Sequence, residues 1–435
     1  MRRQYKLNKN SKSRNWSLSL TLFVVIISLV FVTFFLSNMH ISSSSQLQSK
    51  FLSSKIQDNI KATLIEKDKN SNGNENENEN KVLLSSTNKN IKTTIVKEKE
   101  IDSKPRIGFA ITITKDGNFQ DGAAVLAYSI FDAFKDEKIS ASLIAFVHPN
   151  VTTSRPVLTK LGYHVIECPT PINVSKIKFK FLREKINKNG CCGASELIKL
   201  SAYRLTQYTK IVHLDADVLV LNPFTNILLQ QRSLIYTTDP NMASHKGDDK
   251  MPVQGGFLVL EPSEQDYANI INVMMTTEFR QGSAWNGTRI GWFWGGMTVQ
   301  GVLPYYYRKV SNPDRMVKLD RCYYNTMADT PACSIQKVED LTSAHFTVCQ
   351  KPWGCFNQPV SRLCGDLHHQ WFKLRKEAEK FYSIPSVPQA CPRGGHKWYK
   401  PMQLTNAVMP SSQTLFMPDD SPDRLPPTKE ALFDD

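Results

Sequence analysis

The chain has 435 residues, room for one large domain or two ordinary ones, and 41% of them are hydrophobic, enough for a sizeable core. Its formal net charge is +14. Six cations, Arg2, Arg3, Lys6, Lys9, Lys12 and Arg14, sit ahead of the first apolar run, and the remaining excess is spread along the chain, which argues against a nucleic-acid surface.

That run, Trp16 to Leu36, is apolar or hydroxylic throughout. At about 20 residues it matches one bilayer-spanning helix. No acidic residue lies among the six cations, so the positive-inside rule keeps residues 1–15 cytosolic and sends the rest across, with 16–36 as signal anchor. A cleaved signal peptide is the competing reading; the run is long for one, and no clear small-x-small site follows. Residues 37–104 are rich in Ser, Asn, Lys and Glu, with Asn-Glu repetition between Asn72 and Asn80. They read as a disordered stem, or as a charged helical spacer.

Regular structure is expected from Pro105 onward. "RIGFAITIT" reads as a buried strand, "DGAAVLAYSIFDAF" has helical spacing, and "ASLIAFVHP" is a second strand. "VLTKLGYHVIECP" turns from a short helix into a third strand. "ASELIKLSAYRLTQY" is helical, and "KIVHLDADVLVL" is again strand. "SLIYTTD" and "GGFLVLEPS" continue the pattern. Strands alternating with helices and apolar on both faces imply an α/β fold with a mostly parallel sheet. Residues 105–360 form this domain and 361–435 an extension. Its segment from Leu367 to Tyr382 is helical, and the proline-rich remainder reads as a wrapping or loose tail.

Nine cysteines, Cys168, Cys191, Cys192, Cys322, Cys333, Cys349, Cys355, Cys364 and Cys391, would mainly form disulfides in a lumenal domain, with at least one left over. No pair has the two-residue spacing of a zinc knuckle. Asn150, Asn173 and Asn286 head glycosylation tripeptides, which also occur by chance. Trp285, Trp292 and Trp294 lie near Gly295 and Gly296. Such rings could be platforms for sugars, and core packing or loop anchoring is the slightly favoured alternative.

Asp215 and Asp217 stand in an otherwise apolar stretch at the end of a predicted strand, where alternation places both carboxylates on one side. Two like charges so close need a cation or a shared proton. A divalent ion with oxygen ligands, Mn²⁺ or Mg²⁺, fits beyond the carboxyl ends of the strands, where open α/β sheets collect ligands. The alternative is a pair of strand-end carboxylates capping the turn before Asn222-Pro223.

Four blocks raise the first reading. They are Phe109 to Ile130, Lys199 to Pro223, "QGGFLVLEPS" from Gln254 to Ser263, and "HFTVCQKPW" from His345 to Trp353. In that order they resemble glycosyltransferase family 8, the glycogenin-like retaining transferases with a GT-A fold, over roughly residues 106–353. The resemblance implies a Rossmann-like, mostly parallel mixed sheet flanked by helices. It implies Asp215, Asp217 and His345 as metal ligands, with Lys351 and Lys199 neutralising the diphosphate of a UDP-sugar. It places Ile113, Lys115, Asp116 and Phe119 at uridine-binding positions, Ala216 in the nucleotide-sugar site, and Gln254, Gly255, Gly256 and Gln300 around the sugar. Val299 stands where the family often has Asp, and Val348 where it has Gly. The family implies a UDP-sugar-dependent hexosyltransferase with a glycan or glycoprotein acceptor, and with the anchor a single-pass type II protein of the Golgi or a similar lumenal compartment. A catalytically silent relative and a disulfide-rich structural ectodomain are the alternatives.

Overall fold

The computed structural model describes residues 104–416, apart from 243–246 and 357–358. The cytosolic tail, the anchor at 16–36 and the stem to residue 103 lie outside the described residues. Among the described residues no helix is long and apolar enough to cross a membrane.

The domain is a mixed α/β structure. Strand β1 (Arg106–Ile113) leads into helix α1 (Phe119–Phe134), then β2 (Ser140–Val147), α2 (Ser154–Lys160) and β3 (Tyr163–Glu167). β1 pairs in parallel with β2, and β2 with β3. β4 (Lys210–Leu214) returns to the free side of β1, again parallel. β6 (Leu234–Tyr236) and β7 (Phe257–Leu260) extend the sheet, with β7 antiparallel to both neighbours, and β10 (Met316–Lys318) closes its edge. The order β3-β2-β1-β4-β7-β6-β10 reverses direction at β1 and β4. Beyond the carboxyl ends of two such strands a crevice opens, the usual ligand position in open α/β sheets.

The apolar strand runs follow from burial on both faces. Phe109 and Ile111 of β1 pack into one core layer with α1, and Ala110 faces the other. That second layer contains the 3₁₀ helix Gly193–Arg204, helix α3 (Glu264–Thr276) and helix α4 (Val299–Tyr305). The helix expected over Ala194–Tyr208 is thus a 3₁₀ helix ending at Arg204. With three residues per turn, side chains at i and i+3 eclipse one another, which stacks Glu196 and Lys199 on one face.

The stretch from Lys210 to Val220 is not one strand. β4 stops at Leu214, and β5 (Val218–Val220) leaves the main sheet to pair antiparallel with β11 (Ser343–His345). Asp215-Ala216-Asp217 forms the turn between them, with the Val218 N–H donating to the Asp215 carbonyl at 2.9 Å. Strand alternation therefore does not place the carboxylates. A sheet buried on both faces has no room for them without partners, and the chain turns out of it at the first charge.

The C-terminal segment wraps back onto the domain. Helix α5 (Arg362–Phe381) buries Leu363, Leu367, Trp371, Leu374 and Ala378, spaced three and four apart, within the α1 layer. The Ser361 side chain caps it by accepting from the Cys364 N–H at 3.2 Å. Further on, the Tyr399 hydroxyl and the Met402 N–H both donate to Asp121 of α1, at 2.6 and 2.9 Å, and the Ala141 N–H of β2 donates to the Leu415 carbonyl. Disulfides Cys322–Cys333, Cys349–Cys364 and Cys355–Cys391 tie this half together. Cys168, Cys191 and Cys192 are free thiols.

Candidate active site

A cavity of about 330 Å³ opens at the ends of β1 and β4. The corner that could hold a metal is assembled by strand pairing. β11 sets His345 opposite Val218, the residue after Asp217. The Phe346 N–H donating to the Asp217 carbonyl at 2.9 Å locks the register. His345 Nε2 then lies 3.4 Å from Asp217 Oδ1 and 3.9 Å from Asp215 Oδ2. One ligand atom from each of the three residues falls within 4.8 Å of the others. The imidazole lies against Gly256: a Cβ there would stand 2.6 Å from His345 Nδ1. That nitrogen is buried with no hydrogen-bond partner, so packing on glycine holds the ring.

Two lysines partner the carboxylates. Lys199 Nζ is 2.8 Å from Asp215 Oδ1, and Lys351 Nζ is 2.6 Å from Asp217 Oδ2. Asp217 is buried; desolvation alone would raise its pKa, but His345 and Lys351 outweigh it and hold the carboxyl well below its usual range. For Lys199, on a helix, a solvated side chain is the alternative to its expected place beside a diphosphate. The structure removes that alternative: Lys199 is buried, donating to the Gly255 carbonyl at 3.1 Å and lying 3.4 Å from Glu196. Desolvation works against its charge, and Asp215 and Glu196 more than restore it, so it stays an ammonium.

The opposite wall comes from the end of β1. Ile113, Lys115 and Phe119 line it, and the Phe119 ring meets Trp353 edge-on at 5.8 Å. Gly122 lets α1 approach the carboxylate turn: a Cβ there would come 2.3 Å from the Ala216 carbonyl oxygen and 2.8 Å from the Trp353 ring. Ala216, Gln254, Gly255, Gly256 and Gln300 complete the lining. Gln254 Oε1 accepts from the Gly256 N–H and from Asn325 Nδ2, at 2.5 and 3.0 Å, and so shapes the glycine turn.

Thirteen of the fourteen residues named from sequence line this cavity. Asp116 is the other one. Its carboxylate caps α2, accepting from the N–H groups of Thr152, Thr153 and Ser154 and from the Ser154 hydroxyl. Burial opposes ionisation there, and these hydrogen bonds overcome it and hold the pKa well down. Val299, where a carboxylate was expected, is fully buried in α4, while its neighbour Gln300 faces the cavity.

Sequence reasoning passed over Glu196, Asp239, Cys191 and Cys192, which share the lining. Glu196 Oε2 accepts from the Thr298 hydroxyl at 3.1 Å, beside Val299. Its position three residues before Lys199 was the signal that could have found it. Of the tryptophans, Trp285 is core, its indole N–H donating to the Gly296 carbonyl at 2.9 Å, but Trp294 is 63% exposed and stands at the cavity. Core packing thus describes Trp285, whereas Trp294 is open at the cavity.

The lining carries four carboxylates (Asp215, Asp217, Asp239 and Glu196) against three lysines (Lys115, Lys199 and Lys351). Even with His345 counted as a fourth cation, the cavity has no surplus of positive charge. An anionic ligand such as a diphosphate would need an added cation. The donor set of two carboxylate oxygens and an imidazole suits a divalent ion of the Mn²⁺ or Mg²⁺ kind.

No protein-family profile matches the chain, and no curated protein matches it by sequence. Among solved structures it is similar to the bifunctional glycosyltransferase WbbM (15% identity, TM-score 0.39, 65% of this chain and 52% of that one). The chain thus spans about half of WbbM's length. It is also similar to the galactosyltransferase LgtC in complex with donor and acceptor sugar analogues (12%, 0.39, 65% and 98%) and to mouse xyloside xylosyltransferase 1 (12%, 0.35, 55% and 97%).

Proposed function

We propose that this chain is a metal-dependent glycosyltransferase with a GT-A fold, family-8-like, moving a hexose from a UDP-sugar to a glycan or glycoprotein acceptor with retention of configuration. The observation that carries the reading is the convergence of Asp215, Asp217 and His345 in a cavity where Lys199 and Lys351 also point at the same carboxylates. These three residues would hold the ion. When bound, the ion would neutralise the diphosphate and stabilise UDP as it leaves.

The chain's own groups have separable tasks. Lys199 and Lys351, each on a carboxylate now, would shift their charge onto phosphate oxygens as the ion takes the carboxylates. Phe119 offers a ring face and Ile113 an apolar wall to the uracil. The Gly255-Gly256 turn lets the backbone come close to the sugar, and Gln300 reaches the same wall. Glu196, held by Thr298, brings a carboxylate to the region where position 299 lacks one. Glu196 is engaged by Thr298 and Lys199 rather than free to attack, so the reading is front-face transfer, with the leaving phosphate assisting deprotonation of the acceptor. With the N-terminal apolar run as a type II anchor, this domain would work in the Golgi lumen; the three disulfides suit that address.

The test is thermal unfolding of the folded domain with Mn²⁺, with UDP, and with both. The reading expects a clear rise in Tm only when both are present, because the cavity's balanced charge gives the diphosphate little purchase without the ion. No rise with both would overturn it.

A further inference from the structure

Cys191 and Cys192 are consecutive, both line the donor cavity, and their sulfurs lie 2.9 Å apart. Cys191 is exposed and Cys192 half-buried. Thr114, just past the end of β1, donates its hydroxyl to Cys192 Sγ at 3.8 Å. The next residue, Gly193, begins the 3₁₀ helix that carries Glu196 and Lys199. The pair therefore connects the wall assigned above to the nucleoside with the helix assigned to the diphosphate.

Its surroundings favour chemistry between the two sulfurs. The Cys191 thiol hydrogen-bonds to Cys192, which holds Cys192 below the ordinary thiol range and Cys191 above it. Six other cysteines are already paired as disulfides, and the remaining free thiol, Cys168, is buried elsewhere. Bonding adjacent residues closes an eight-membered ring across one peptide unit, so the backbone on either side must turn. It is flanked by Gly190 (φ 77°) and Gly193 (φ 57°), both left-handed. A Cβ at Gly193 would stand 2.7 Å from the Asn187 carbonyl oxygen, so a shift at this point has to move its neighbours.

We propose that Cys191 and Cys192 are a reversible oxidation site in the donor cavity, and that closing them into a vicinal disulfide weakens nucleotide binding. The oxidant is a low-molecular-weight disulfide such as glutathione disulfide. The Cys192 thiolate attacks one of its sulfurs and expels one glutathione thiolate, leaving a mixed disulfide. Cys191, giving up its proton, then attacks Cys192 Sγ and expels the second glutathione. Two protein thiols are oxidised and one disulfide is reduced to two thiols. Strained disulfides of this kind have oxidising potentials and are the readily reduced ones.

The nucleotide half of this proposal rests on the glycosyltransferase reading; the bond itself does not. The experiment treats the folded protein with glutathione disulfide or with dithiothreitol. It then measures the mass of the peptide holding both cysteines, amide exchange over Gly193–Arg204, and UDP affinity in Mn²⁺. The expected result is a peptide lighter by two hydrogens, restored by dithiothreitol, and UDP binding weakened by about fivefold or more, the low end of ordinary coupling between sites. In Cys192→Ser, which lacks the attacking thiolate, UDP affinity should no longer respond to the oxidant. Thiols that stay reduced, or a lasting glutathione adduct without ring closure, would overturn the proposal, as would ring closure with unchanged UDP affinity. If UDP binds in neither state, the donor reading fails. The redox site is then judged by ring closure and by altered exchange over Gly193–Arg204, and is overturned if either is missing.

Discussion

At the residue scale, one hydrogen atom decides where His345 can sit. Gly256 has no side chain, and the imidazole occupies the space a methyl group would need. Gly256→Ala should push the ring off the two carboxylates. The expected outcome is loss of Mn²⁺-dependent UDP binding by tenfold or more, roughly the range for a displaced ligand shell, with an overpacking cost of about 1–3 kcal/mol in urea unfolding. Unchanged metal dependence in a folded variant would show that His345 is not held this way. A different single-residue effect operates at Glu379, buried with Arg375 at 3.0 Å on α5 and accepting also from Ser386 and the Val387 N–H. Glu379→Ala strands a buried guanidinium. It should cost about 3–5 kcal/mol of stability without changing the UDP KM, since the pair lies in the α1 layer away from the cavity.

At the element scale, the site is made by strands that leave the main sheet. β5 and β11 form a two-stranded annex whose register delivers His345 to Asp217 across more than a hundred residues of chain. The order of strands and helices along the first half was legible because apolar runs and helical spacing are local signals. So was the Asp-x-Asp pair, because charge in an apolar run demands a partner. The identity of that partner was only partly legible. A divalent ion and His345 were expected, with Lys199 and Lys351 on a diphosphate; that both lysines sit directly on the carboxylates was not legible, since for Lys199 it depends on the turn before β7 that covers its helix face. That Asp116 is engaged at the N-terminus of α2 was hidden for a related reason. Lys115 and Phe119 on either side of it line the cavity, yet its short side chain finds the open N-terminus of α2 first, and nothing in the local sequence announces that cap. The vicinal thiols were counted only as members of a disulfide set, because pairing is a three-dimensional fact.

For the whole molecule, the buried polar groups set its response to pH. His213 of β4 is fully buried, its ring bonded to the Thr112 hydroxyl at 2.8 Å. Burial, then the Lys199 ammonium, push its pKa down to about 3. In the unfolded chain it titrates near 6.5. Between those values the unfolded state binds the extra proton, so stability is full above about pH 6.5 and falls as the pH drops towards 3. Urea midpoints measured across that range should show the decline, and His213→Gln should flatten it by up to about 1.4 kcal/mol per pH unit. The account's central claim concerns the donor end of the reaction, and UDP release tests it most directly. The folded domain is incubated with Mn²⁺ and a panel of UDP-glucose, UDP-galactose, UDP-glucuronic acid and UDP-xylose, beside the Asp215→Asn/Asp217→Asn double variant and a chelator control. The account predicts UDP release from at least one donor by the unaltered protein in Mn²⁺, and a fall of about a hundredfold or more in the double variant and with chelator. Release from none of the four, or equal release by the double variant, would contradict it.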